Sequence, residues 1–135
     1  MNKQPRKTLG LLLAFLLMLS PVLASASSVT LERVRASNSL TLGYLPDMAP
    51  FSSQQGDKAG GYAIDLCLKV AEQVKTELGL ADLPVRYQPL EDAESITAVS
   101  SGKVDILCTP TPETLAQRKL VSFSLPIYTA GLAAL

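Results

Sequence analysis

Apolar and polar positions recur along the chain with the period of a helix in three places. Between residues 62 and 78 apolar side chains return every three or four positions, with charged side chains on the opposite side, which is the pattern of an amphipathic helix. Gly79 follows at once and predicts the C-terminal cap of that helix. Shorter helices are predicted at about residues 30–36, with Thr30 as N-cap, and at about residues 91–101.

Short apolar segments lie between these helices and predict β-strands. They cover residues 40–45, 85–88 and 104–108, and Gly, Pro or polar residues flank them. Strands that alternate with helices are typical of a mainly parallel sheet with crossover helices. We therefore predict an α/β fold, a single lobe in which helices flank a mainly parallel sheet.

The remaining segments carry turn and capping signals. Residues 46–61 are rich in Gly, Pro, Ser and Asp, which predicts a loop with a hairpin tip at Gly56–Asp57. The Thr-Pro-Glu sequence after the last of these strands predicts a further short helix over residues 111–119, with Thr111 as N-cap. A final strand is expected at residues 130–135.

The N-terminus has the layout of a cleavable signal peptide. Three basic residues precede an apolar segment from Leu9 to Leu19, which is shorter than the roughly 20 residues of a membrane-spanning helix. Ala24 and Ala26 occupy the two small-residue positions that precede a cleavage site. We expect residues 1–26 to be removed, residues 27–135 to form one domain, and the protein to reach the periplasm. An uncleaved anchor is the alternative.

Charge and residue types exclude some classes of function. Without the predicted signal peptide, the chain has nine basic and twelve acidic residues, and the basic residues are scattered along it. Binding to nucleic acid requires a basic stripe, so no nucleic-acid partner is expected. The chain has no His and only two Cys, so no metal site and no cofactor are expected. Cys67 and Cys108 are either a disulfide, which the periplasm permits, or two buried thiols, and the sequence leaves both interpretations open.

Four sequence motifs follow one another between residues 42 and 128. They are a Leu-Gly-Tyr strand with a Pro-Phe loop (42–51), a Gly-Gly-Tyr-Ala-Ile-Asp-Leu helix start (60–66), a Ser-Gly-Lys-Val-Asp turn (101–105), and a Thr-Pro-Glu helix with Phe-Ser-Leu-Pro-Ile-Tyr (111–128). In this order and spacing they resemble the family 3 extracellular solute-binding proteins of bacteria, the periplasmic amino-acid-binding components of ABC transporters. The glutamate/aspartate-type branch is the most similar, and the resemblance covers nearly all of residues 30–135.

The resemblance implies a periplasmic-binding-protein-like (type II) fold. Such receptors close two hinged lobes over a small polar solute, such as an amino acid, and deliver it to an ABC permease in the inner membrane. The chain matches the N-terminal lobe only, so we expect a truncated or degenerate single lobe without the second one. Binding by this lobe alone is expected to be weak, because good sites bury about 70–90% of a ligand.

Proteins similar to this family imply two alternatives. One is the ligand-sensing lobe of a glutamate-receptor-like channel or sensor. The other is a lobe of a dehydratase or a peptidoglycan-cleaving enzyme, since both are built on the same scaffold. Catalysis needs a positioned acid or base, and the chain has no His and no recognisable acid–base pair. We therefore expect a binding protein and no enzyme.

The resemblance also implies candidate ligand-binding residues. In the family an Arg six residues before the Phe of Phe-Ser grips the ligand carboxylate, but Gln117 occupies this position and Arg118 is its neighbour. Hydroxyl groups ahead of that helix bind the ligand, which indicates Thr109 and Thr111. Near Ser95 the chain lacks the Arg typical of acidic-ligand members, which argues against glutamate or aspartate.

Four more candidates come from the loop after the first strand and from the hinge. They are Asp47, Met48, Phe51 and Tyr128. Packing is the alternative role for the two aromatic rings, because large apolar side chains mostly lie in cores.

Overall fold

A three-stranded parallel sheet lies at the centre of the lobe in the computed structural model, which describes residues 28–131. Its middle strand, β1 (Leu40–Tyr44), pairs with β5 (Val85–Pro89) on one side and with β6 (Ile106–Leu107) on the other. Helices connect these parallel strands, so the predicted α/β fold is confirmed. The last strand is shorter than the predicted 104–108 because only two of its residues pair with β1.

The first helix, α1 (Val29–Ser37), begins earlier than predicted. Ser28 is its N-cap, since the Ser28 Oγ accepts a hydrogen bond from the Leu31 amide at 3.2 Å. The prediction of Thr30 as cap was therefore wrong. Thr30 lies within the first turn, because Ser28 supplies the same capping chemistry two residues earlier.

The other two helices agree with the predictions. Helix α2 (Tyr62–Leu78) ends at Gly79, which adopts the left-handed conformation with φ 64° and donates its amide to the last turn. Helix α3 (Asp92–Ser100) begins with a capping box, in which the side chains of Glu91 and Glu94 each accept a hydrogen bond from the other's backbone amide.

Between β1 and α2 the chain forms a small antiparallel sheet where a loop was predicted. It consists of β2 (Asp47–Met48), β3 (Ser52–Gln55) and β4 (Lys58–Gly60), in the order β2-β3-β4. The predicted hairpin tip at Gly56–Asp57 is confirmed, because Gln55 pairs with Lys58 around it. These strands are short and polar, so they carry no apolar alternation from which to predict them.

The side chains of β1 divide the core into two parts. Leu40, Leu42 and Tyr44 pack on one face of the sheet with buried residues of α1, α2 and the segments that flank them. The other face carries a smaller cluster, which consists of Leu45, Leu90, Ala98 and Val104. Helices therefore cover both faces of the parallel sheet, which leaves the ends of the strands as its open edges.

Gly43 faces the smaller cluster and allows it to approach β1 closely. A Cβ atom at this position would lie 2.7 Å from the Leu90 Cδ1 atom and 3.0 Å from the Val104 Cγ2 atom. The first distance is shorter than real Cβ contacts and the second is tighter than most of them, so Leu90 and Val104 would have to move. The glycine of the Leu-Gly-Tyr motif therefore serves the packing between the sheet and the chain around α3.

Two long-range links hold β6 in place. The Asp105 carboxylate accepts hydrogen bonds from the Arg33 guanidinium at 2.7 and 3.0 Å and from the Thr41 amide at 2.8 Å. Cys67 on α2 and Cys108 are joined by a disulfide, with their Cα atoms 6.2 Å apart. The bridge lies in the larger core cluster.

The prediction of a short helix over residues 111–119 was wrong. The structure has only a short 3₁₀ helix at Gln117–Lys119, and Thr111 does not cap it. Most side chains from residue 112 to 131 are exposed, so no apolar face stabilises a longer helix. Of the final strand predicted at 130–135, residues 130 and 131 are not in a strand.

The remaining part of that strand and the predicted signal peptide lie outside the described residues. Within residues 28–131 no helix combines the length and apolar character needed to cross a membrane.

Candidate functional site

The carboxyl ends of the three parallel strands meet at one edge of the sheet. Leu45 follows β1, Leu90 follows β5, and Cys108 and Thr109 follow β6. In open α/β sheets ligands bind at this edge, because loops from several strands converge there. The side chains of these loops are therefore the candidates for ligand contact.

Ser52 ties two of these strand ends together. Its side chain is fully buried, and its Oγ atom lies 2.8 Å from the Leu45 carbonyl oxygen and 3.2 Å from the Thr109 Oγ1 atom. One hydroxyl thus links the antiparallel sheet to the loops after β1 and β6. Sequence reasoning identified Thr109 but missed Ser52, which is a small polar residue in a polar segment and carries no pattern.

An opening of about 480 Å³ lies at this edge, between α3 and the segment after β6. Helix α3 contributes Asp92, Ser95 and Thr97 to its wall, and the later segment contributes Thr111 and Gln117. The structure therefore places two of the predicted ligand-binding residues in one wall of a single opening. Thr109 lies two residues before Thr111 and is not part of the wall. Only 7% of its surface is exposed.

Gln117 is engaged in a capping box with Thr114. The Gln117 Oε1 atom accepts hydrogen bonds from the Thr114 amide at 3.2 Å and from the Thr114 hydroxyl at 3.0 Å, and the Gln117 amide lies 3.2 Å from the Thr114 Oγ1 atom. This reciprocal pattern is that of a capping box, and it encloses the turn directly before the short helix at Gln117–Lys119. The Thr-x-x-Gln spacing was the signal in the sequence that would have predicted it.

Arg118 forms an ion pair with Glu113 on the exposed surface. The hydrogen bond and the negative charge of Glu113 raise the pKa of the Arg118 guanidinium above its ordinary value. Arg118 is not part of the wall of the opening. The charge of Arg118 is therefore paired outside the opening. Its neighbour Gln117 is the residue that lines the opening.

The candidates from the first loop and the hinge meet in an aromatic cluster formed by Phe51, Tyr62 and Tyr128. The Phe51 ring lies edge to face with Tyr128 at 5.0 Å and with Tyr62 at 6.2 Å between ring centroids. The Tyr62 hydroxyl donates a hydrogen bond to the Ile127 carbonyl oxygen at 3.1 Å. Packing is thus one role of both predicted aromatic residues, although Tyr128 remains 61% exposed.

The two other residues of the first loop, Asp47 and Met48, form β2 and are exposed. They pair with Ser53 and Ser52, so they stand next to the hydroxyl link described above. Within the part of the chain that the structure describes, no group of three or more His, Cys, Asp or Glu side chains is placed to hold a metal ion.

Comparison with known proteins assigns the chain to a family. Residues 40–135 match the bacterial extracellular solute-binding proteins, family 3. The chain belongs to this family, and with it to the solute-binding proteins of the amino-acid-binding type.

Two curated relatives are amino-acid-binding proteins. The chain is 38% identical over 117 residues to an L-glutamate/L-aspartate-binding protein of Pseudomonas aeruginosa, over 85% of this chain and 39% of the relative. It is 32% identical over 95 residues to the arginine-binding extracellular protein ArtP of Bacillus subtilis, over 68% of this chain and 33% of the relative. The chain thus spans well under half the length of either.

Solved structures show the same fold. An ancestral amino acid-binding protein, described as a precursor of cyclohexadienyl dehydratase, has a TM-score of 0.64 and 31% identity, over 77% of this chain and 44% of that one. Domain 1 of ArgBP from T. maritima, a single-substitution mutant in an arginine-bound form, has a TM-score of 0.59 and 22% identity, over 75% and 74% of the two chains.

Proposed function

We propose that this chain is the N-terminal lobe of a periplasmic receptor for an amino acid or a related small polar solute. The observation that carries the proposal is the opening at the carboxyl edge of the sheet, in a chain of this family. Its wall combines hydroxyl, amide and carboxylate groups, which suit a polar solute. The solute passes to an ABC permease in the inner membrane, as the family resemblance implies.

The proposed ligand contacts come from both sides of the hydroxyl link. Thr109 and Thr111 supply hydroxyl groups, and Gln117 supplies the amide nitrogen that its capping box leaves unused. Asp47, Met48, Phe51 and Tyr128 are further proposed contacts, and the exposed Tyr128 ring offers a flat surface. Arg118 takes part only when Glu113 releases it, because the ion pair otherwise holds its guanidinium.

A single lobe offers one side of a site. In this proposal the second lobe of the receptor closes over the opening, and this lobe alone binds its solute weakly because most of the ligand surface stays in water. The arginine-bound domain 1 of ArgBP supports the view that one domain of this fold is sufficient to hold a ligand.

The proposal includes the predicted processing. Residues 1–26 direct export and are removed, and residues 27–135 form the periplasmic lobe. The family's description as extracellular supports this address.

We propose binding without catalysis. The similarity to a precursor of cyclohexadienyl dehydratase makes a dehydratase the second candidate. Dehydration requires an acid and a base placed around the substrate, and the opening has one carboxylate, Asp92, and no basic residue in its wall. A dehydratase assay on the purified protein, with no product expected, separates the two candidates.

The test of the proposed function is isothermal titration of the purified protein with each of the common amino acids. Binding of at least one is expected, with Thr111→Ala weakening it by about two- to tenfold because one hydrogen bond is lost. Thr76→Ala is the matched control, since Thr76 lies on α2 and bonds only within its helix. A folded sample that binds no amino acid contradicts an amino acid as the solute of this lobe.

A further inference from the structure

The exposed apolar side chains of the lobe are concentrated in one segment. Nine large apolar residues are exposed in the part of the chain that the structure describes, and five of them lie between residues 115 and 128. They are Leu115, Leu120, Leu125, Ile127 and Tyr128. Single exposed apolar side chains are common, whereas several together mark a surface that contacts a partner. We refer to residues 114–128 as the apolar segment.

The apolar segment lies beside the candidate site. Near its start, Gln117 and Leu120 line the opening next to α3. Near its end, the Ile127 carbonyl oxygen accepts a hydrogen bond from the Tyr62 hydroxyl at 3.1 Å. The segment thus contacts the lobe at both ends, and its exposed side chains belong to the surface that surrounds the opening.

The charge of the apolar segment indicates what kind of partner fits it. Its charged residues are Arg118 and Lys119, and Arg118 is paired with Glu113 directly before the segment. Among residues 28–131 Lys119 has no ion pair, so a strongly charged partner would find a single charge to pair with. In a two-fold contact the same surface of each copy meets the other, so a charged surface repels itself and a nearly neutral, apolar one does not.

The one-sided site also favours a second copy of this chain. A single lobe leaves one side of a ligand in water, whereas good small-molecule sites bury about 70–90% of the ligand surface. Gln117 and Leu120 belong to the apolar segment and also line the opening. A copy that packs on this segment therefore covers the opening as well.

We infer that the lobe forms a two-fold dimer through the apolar segment, in which each copy covers the opening of the other. This inference rests on the proposed function, and it assigns to a second copy the place that the second lobe takes in a two-lobed receptor. Leu115 and Leu125 are 82% and 87% exposed. They have the most surface to bury in this contact, so they contribute most to the stability of the dimer.

The experiment is analytical ultracentrifugation of the purified protein over a range of concentrations, without added ligand. An equilibrium between monomer and dimer is expected. A monomer at every concentration overturns the inference and assigns the surface to a different partner. Aggregates of many copies overturn it too, because a two-fold contact closes on itself. Either result leaves the proposed function intact, since titration with amino acids tests that function separately.

Three variants test the surface. Leu115→Ser and Leu125→Ser are each expected to raise the dissociation constant of the dimer by about tenfold or more, because each removes an apolar side chain from both copies. Both side chains are exposed, so the fold does not depend on them. Val70→Ser is the control, since Val70 is 46% exposed on α2, outside the apolar segment. A dimer that dissociates equally in the parent protein and all three variants overturns the inference.

Amide hydrogen exchange locates the contact without a substitution. Backbone amides of residues 114–125 are expected to exchange more slowly at concentrations above the dissociation constant than below it. Amides of residues 79–83, in the loop that leads to the opposite edge of the sheet, are expected to exchange at the same rate at both concentrations. Slower exchange that is confined to residues outside the apolar segment overturns the inference.

Discussion

Cys67 on α2 is bonded to Cys108, the residue directly before Thr109. The bridge closes a loop with a sequence separation of 41 residues, and it anchors the end of β6 to the longest helix. The buried hydroxyl link between Thr109 and Ser52 is thus held from the neighbouring position by a covalent bond. The disulfide contributes to the stability of the lobe and also to the geometry of the candidate site.

Removal of the disulfide is expected to destabilise the lobe by about 4 kcal/mol, since the unfolded chain regains the freedom of a loop of this length. The test is urea unfolding of the Cys67→Ala/Cys108→Ala variant, in which two small apolar side chains replace the bridge. Mass spectrometry of the unfolded, unreduced parent protein provides the control, with no free thiol expected. A variant as stable as the parent, or a parent with two free thiols, contradicts the bridge.

The Asp105 carboxylate provides a second prediction. It accepts hydrogen bonds from Arg33 and from the Thr41 amide, and Asp105→Asn removes the charge and one acceptor oxygen. We expect a loss of about 2 kcal/mol in the free energy of unfolding, below the full cost of breaking a buried pair because Arg33 is 37% exposed. Asp57→Asn at the exposed hairpin tip is the control, with a change within about 0.5 kcal/mol. Equal effects of the two substitutions would show that the Asp105 contacts add nothing.

The capping box of Gln117 provides a third prediction. Gln117→Glu retains an acceptor for the Thr114 amide, whereas Gln117→Ala removes it. Amide hydrogen exchange at Thr114 is expected to accelerate about fivefold in Gln117→Ala, which corresponds to the loss of roughly 1 kcal/mol from a cap. Little change is expected in Gln117→Glu. If both variants exchange like the parent, Gln117 does not cap this turn.

Tyr44 provides a prediction about alkaline pH. Burial raises the pKa of the Tyr44 phenol above its ordinary value. The unfolded chain therefore ionises first, so the contribution of Tyr44 to stability is complete below about pH 10 and is lost as the pH rises above that value. Urea unfolding across this pH range is expected to show a smaller decline in Tyr44→Phe than in the parent. An identical decline in both proteins means that Tyr44 does not cause it.

The accuracy of the sequence-based predictions followed the strength of the local pattern. Helix α2 was predicted to its final residue because its apolar period is long and Gly79 supplies a clear stop. The prediction of a helix over residues 111–119 was wrong for the opposite reason. Its start signal was the Thr-Pro-Glu sequence, but the segment has no apolar face to bury, and Thr114 and Gln117 form a competing cap inside it.

The candidate site was predictable only in part. The family resemblance indicated the segments, and the structure brings Thr111 and Gln117 into one wall and packs Phe51 against Tyr128. The link between Ser52 and Thr109 joins residues 57 positions apart, so no local pattern announces it. The ion pair between Arg118 and Glu113 could not be predicted either. The two residues are five positions apart, and the irregular backbone between them brings their side chains together.

The order of the strands has a consequence for the kinetics of folding. The middle strand of the parallel sheet follows the first helix, yet Thr41 meets Asp105 only after 64 further residues. Arg33 meets the same carboxylate across 72 residues. Closing long loops costs conformational entropy before such contacts can stabilise the sheet. Parallel sheets with these connections therefore form slowly. One edge of the apolar middle strand therefore has no partner until residues 106 and 107 have been synthesised, and an unpaired strand edge favours aggregation during that interval.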